Sequence, residues 1–221
     1  LKDVQTYKTG DGATDLGFLE SAAVRCVDDP PLRKQVETKI LAALAQARTS
    51  EGKSFLCRLL RTVGTAKSVP ALEALLADRE LSHMARYALG RITAPEAKQA
   101  LLRALKTTTR ELQAGVINTL AGRRCKKALP AFIKLINANN KTVARAAIRA
   151  LGHLGGADAV KALLSARGVA AAQLRTEIDD ALLGCAELHM ERGEPVQAAA
   201  VYLLFYEKGE KTHLRLAGLR G

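Results

Sequence analysis

Cys185 and His189 stand four residues apart, a spacing that puts two side chains on one helix face and can present two ligands to a metal ion. Two ligands make no site alone, and the neighbouring acids, Glu187 and Glu191, complete no recognised ligand pattern. The pair therefore reads as a buried Cys beside a surface His, and no metal is expected. Glu177, Asp179 and Asp180 form a second cluster, of a type that can do acid–base work when two carboxylates converge. Acids this close on a helix face different ways, so they read as a solvated acidic edge. Cys26, Cys57 and Cys125 are widely separated, with no CxxC pair. That suits small buried side chains better than a disulfide, a metal or a nucleophile. No phosphate-binding loop, serine-nucleophile elbow, HExxH or dinucleotide fingerprint occurs. No catalytic residue, cofactor or metal is expected.

Charge offers more. The formal net charge is +12, and from Lys98 to Arg149 twelve cations face one anion, Glu111. The rest of the chain is nearly neutral. Such a block draws anionic partners, whether an acidic protein surface or a phosphate backbone; it also reads as a solvated face. Within it, Phe132 alone interleaves with the cations, whereas single strands and flipped bases are held by stacked aromatics.

The elements that must carry these residues follow from a period. Leu60, Leu89, Leu120, Leu151 and Leu182 share one local frame, at spacings of 29, 31, 31 and 31. A fixed period near 31 with apolar helical text in each unit marks a stacked two-helix repeat. The composition, rich in Ala and Leu with no Trp, agrees. Helices are expected over 16–26, 32–47 and 50–63. First helices then follow near 69–77, 95–105, 128–136 and 157–164, with second helices near 81–92, 110–120, 141–154 and 173–189. Asp29-Pro30-Pro31 stops the first helix, Thr49 and Ser50 offer a cap, and Gly155-Gly156 ends another. Essentially no strand is expected. The fold class is thus all-α, a right-handed solenoid of about five to six hairpins. No apolar run approaches the ~20 residues of a membrane span; a soluble chain is expected, in the cytoplasm or outside it.

The stretches AVKALLSA at 159–166 and VARAAIRALGHLGGADA at 143–159, with weaker copies at 84–97 and 55–72, resemble the HEAT-like repeats of bacterial proteins, the short class linked with phycobilisome lyases. The resemblance covers roughly residues 30–190. It divides the chain into a polar N-terminal arm (1–14), a repeat solenoid (15–192) and C-terminal helices (193–221) that look like the start of a further repeat in a longer protein. HEAT-like DNA glycosylases share this architecture, but their pattern implies tryptophans and a groove acid, and Trp is absent here.

In the proteins this chain resembles, second helices line the concave face. The resemblance therefore implies that polar positions around each anchor Leu point there, and the candidates are Arg58, Tyr87, Arg91, Asn118, Arg145, Arg149 and His153. The implied function is a non-catalytic scaffold whose concave face takes a protein or peptide partner with an acidic surface. The alternative is nucleic-acid binding through residues 98–149, with a basic edge at Arg123, Arg124, Lys126 and Lys127 on a turn between units.

Overall fold

The computed structural model describes residues 1–8, 14–169 and 172–208, and among these twelve α-helices and no strand occur. In chain order the first six are α1 (Thr14–Arg25), α2 (Pro30–Gln46), α3 (Ser50–Val63), α4 (Val69–Ala74), α5 (Ser82–Leu89) and α6 (Pro95–Thr107). They are followed by α7 (Arg110–Gly122), α8 (Leu129–Leu135), α9 (Lys141–Leu154), α10 (Ala157–Val169), α11 (Ala172–Glu191) and α12 (Pro195–Lys208). The fold is all-α, built from repeated helical hairpins. The chain divides into two compact units, residues 1–119 (unit 1) and 120–221 (unit 2).

Local chemistry sets the helix ends. Asp29 accepts from the Leu32 backbone N–H at 3.0 Å while Pro30 and Pro31 occupy the first turn of α2. Thr49 caps α3 through Gly52 N–H at 3.2 Å, and Asn140 caps α9 through the N–H groups of Thr142 and Val143. Gly155 and Gly156, at φ +62° and +92°, end α9 in a conformation L side chains rarely adopt. Helices α4, α5 and α8 are shorter than the periodicity alone suggests. Short 3₁₀ turns, Ala66–Ser68 and Lys126–Ala128, lead into α4 and α8.

Within residues 1–119 the second helix α3 packs on α5 and the first helix α4 on α6; within residues 120–221, α9 packs on α11 and α12 on α11. The anchor row Leu60, Leu89, Leu120, Leu151 and Leu182 is wholly buried, each at 0% exposure, and the row Leu56, Ala85, Val116, Ala147 and Ile178 is buried with it. Full burial of one such leucine side chain contributes about 1.5–3 kcal/mol.

The period recurs in the polar bonds. Arg33 donates to the carbonyls of Val63 (2.8 Å) and Gly64 (3.1 Å), satisfying the open end of α3. Arg86 donates to Gly115 O at 3.2 Å, and Arg103 grips Glu73 with two bonds of 2.7 Å. Buried Glu37 accepts from Thr65 N–H at 2.7 Å and from the Ser68 hydroxyl at 2.5 Å. The partners lie 28 to 31 positions apart, one repeat along the chain. Residues 1–8, expected as an arm, lie against this stack: Val4 is buried, Arg48 N–H donates to Gln5 O at 2.8 Å, and the Thr49 hydroxyl donates to Tyr7 O at 2.7 Å. Of the stretch 193–221, expected to begin a further repeat, residues 209–221 lie outside those described.

Candidate functional site

Each second helix turns its anchor leucine inward, so the residue two positions earlier points outward. Arg58, Tyr87, Asn118, Arg149 and Asp180 occupy that position, and all five are exposed. Two positions after the anchor, Arg91 and His153 are also exposed. Six positions before it the row is uneven: His83 is exposed, Arg145 half-buried and Ala114 buried.

In unit 1, an open slot of about 430 Å³ lies between α3 and α5, lined by Ser54, Arg58, His83, Met84 and Tyr87. Tyr87 is 48% exposed, and the Arg61 guanidinium stacks on its ring at 4.4 Å from the centroid. Such a cation–π contact contributes about 0.5–1 kcal/mol at an exposed site. Arg58 lies 5.1 Å over the Phe55 ring, and its Nε is 3.3 Å from a carboxylate oxygen of Glu20 on α1. Arg61 is absent from the sequence-based candidates because it sits one place past the anchor. The available signal was its spacing of three from Arg58, about one helical turn.

In unit 2, Arg145 Nε is 2.8 Å from Glu177 Oε1, while Arg149 and His153 stand exposed on the same helix, α9. The acids expected as a solvated edge divide. Asp180 is exposed and Glu177 half-buried, but Asp179 is 3% exposed and accepts from Arg167 Nε of α10 at 2.5 Å. Its place beside the core residue Ile178 turns it toward the neighbouring helix. The basic edge is as the turn suggests for Arg124, Lys126 and Lys127, all exposed; Arg124 takes φ +48°. Arg123 is half-buried, and that burial lowers its guanidinium pKa.

Neither candidate for metal or covalent chemistry assembles. Cys185 is buried, as expected, but His189 is 5% exposed rather than on the surface, with Nδ1 2.6 Å from Glu194 Oε2. The chain turn at Gly193 brings Glu194 back over the imidazole. Burial pushes the Cys57 and Cys185 thiols up to about 12, so neither holds the thiolate that nucleophilic or ligand chemistry requires. Among the described residues no three His, Cys, Asp or Glu side chains gather as a metal set, and no helix is long and apolar enough to cross a membrane.

Comparison with known proteins adds a family match over part of the chain. The model of HEAT repeats matches residues 101–182, and that of the PBS lyase HEAT-like repeat matches residues 83–107. A crystal structure of an engineered protein matches at 20% identity and a TM-score of 0.44, covering 100% of this chain and 67% of that one. No curated protein matches the sequence. HEAT repeats form helical scaffolds that commonly mediate protein interactions. Together the two models match residues 83–182, and over that stretch the chain is similar to HEAT-like repeats.

Proposed function

We propose that the chain is a non-catalytic scaffold that binds a protein or peptide partner with an acidic surface. Binding takes place through the face carried by its second helices, the concave face in the repeats it resembles. The contact residues are Arg58, Tyr87, Arg91 and Asn118 in unit 1, with Arg145, Arg149 and His153 in unit 2. The carrying observation is the row two places before the anchor leucines, where every residue is exposed beside a core position at 0% exposure. Arg and Tyr lead that row, and these types combine contact area with directional hydrogen bonds at binding hot spots. Arg149 is the cleaner probe than Arg145, which already faces Glu177.

The test is affinity capture from the native source with wild-type protein, with the pair Y87A/R149E, and with the edge pair R123E/R124E. The reading expects a wild-type interactor that the face pair loses and the edge pair keeps. Loss with the edge pair alone would move the surface to the turn. Duplex DNA binding is measured alongside across a salt series. A log–log slope of several units, about −0.9 per phosphate contact, would transfer the function to nucleic acid.

A further inference from the structure

We propose that the slot between α3 and α5 takes an extended acidic peptide segment of the partner, and that Glu20 is the chain's own stand-in for one of its carboxylates. In this mode a partner carboxylate replaces Glu20 on Arg58, and a partner apolar side chain lies against Met84 and Tyr87. The proposal rests on the reading of the second-helix face as a partner surface and adds what that surface takes.

Four observations support it. First, the ion pair is built to be displaced: Arg58 and Glu20 are 52% and 45% exposed in their side chains, and the separation is 3.3 Å. Exposed pairs of this type shift an equilibrium only about two- to fivefold. Second, the charge is one-sided. Arg58 lines the slot and Arg61 stacks on its Tyr87, and among the described residues the ion pair of these two arginines is that of Arg58 with Glu20. Third, Arg61 is held in place by the Tyr87 ring at 4.4 Å, so a guanidinium and an aromatic face are presented together before any ligand arrives. Rigid anchors of this sort lower the ordering cost of binding. Fourth, the volume of about 430 Å³ falls within the ~300–1,000 Å³ of ligand clefts, and the slot is open, so a chain can pass along it. Met84 supplies the soft apolar wall that adapts to varied side chains.

The probe is a labelled peptide of alternating Glu and Leu, followed by fluorescence anisotropy at low salt, with an unlabelled single-stranded oligonucleotide as competitor. The variants are E20Q, R58E and Y87A, each checked for unchanged far-UV circular dichroism. Glu20→Gln is expected to tighten peptide binding about two- to fivefold, because it removes the internal competitor. Arg58→Glu is expected to weaken it about tenfold or more, and Tyr87→Ala to weaken it as well. Unchanged or weaker binding by E20Q overturns the stand-in role. If R58E and Y87A still lose affinity in that case, the second-helix face survives as a partner surface. If those two also bind as wild type does, both readings fail. Absence of peptide binding by every form overturns the inference, as does an oligonucleotide that binds through Arg58 where the peptide does not.

Discussion

Gly152 and Gly184 face each other where α9 meets α11, and they should respond to the same substitution with opposite signs. A Cβ on Gly152 would lie 2.9 Å from Ala181 Cα and 3.1 Å from both its Cβ and its carbonyl oxygen. The obstacle is mostly backbone, so relief requires the two helices to separate rather than a side chain to rotate. Overpacking of this type costs about 1–3 kcal/mol. Alanine recovers up to about 1 kcal/mol of helix propensity over glycine. Set against each other with the full propensity gain, these leave G152A a net loss of up to about 2 kcal/mol. A Cβ on Gly184 meets Gly152 O at 3.7 Å, ordinary contact, so G184A keeps the propensity gain and should stabilise by about 0.5–1 kcal/mol. Urea unfolding followed by far-UV circular dichroism reads both. A lower midpoint for G152A and a higher one for G184A are expected. If G152A matches or exceeds wild type, the close approach of α9 and α11 is wrong, and with it the packing register of the second helices.

Other substitutions report on the same frame. Leu89→Ala and Leu151→Ala, each at a wholly buried anchor, should cost about 2–5 kcal/mol in urea unfolding, whereas Leu164→Ala, 40% exposed, should stay within about 0.5 kcal/mol. Replacing Glu37 by Leu strips the acceptor from Thr65 N–H and the Ser68 hydroxyl and should cost about 1–3 kcal/mol by thermal or urea unfolding. Cys57 and Cys185, held at about 12, should resist thiol reagents at neutral pH until urea unfolds the chain; fast reaction of the folded protein would contradict their burial. Because the folded thiols keep their protons above the ordinary value of 9.0, at which unfolded thiols lose theirs, their contribution to stability is intact below pH 9 and falls as the pH rises from about 9 toward 12.

The fold was legible because it is periodic. Leu60, Leu89, Leu120, Leu151 and Leu182 are equivalent in sequence and equivalent in burial, and the caps at Asp29, Thr49 and Asn140 are local chemistry. What periodicity hides is a bond to the adjacent repeat. Twelve cations against Glu111 looked uncompensated from residue 98 to 149, yet Arg103 is paired with Glu73 and Arg145 with Glu177, both acids lying one repeat away outside that stretch. Arg33 and Arg86 likewise sit on carbonyls about one period further on, contacts that no local sequence pattern marks. Asp179 and His189 were misplaced for a related reason. Each sits off the exposed row, and its orientation depends on Arg167 or Glu194, whose positions only the folded chain supplies. The slot at Tyr87 needed two helices in register before Met84 could be seen to line it and Arg61 to stack on its tyrosine.

Photo-crosslinking in the native source tests the second-helix face most directly. A photoreactive amino acid replaces Tyr87 or Arg149 on the second helices, and in parallel Lys67 or Lys98, exposed positions at the first helices. The account predicts that one partner crosslinks from Tyr87 and Arg149 and is absent from Lys67 and Lys98. Crosslinks from the first-helix positions, with none from Tyr87 or Arg149, would contradict it.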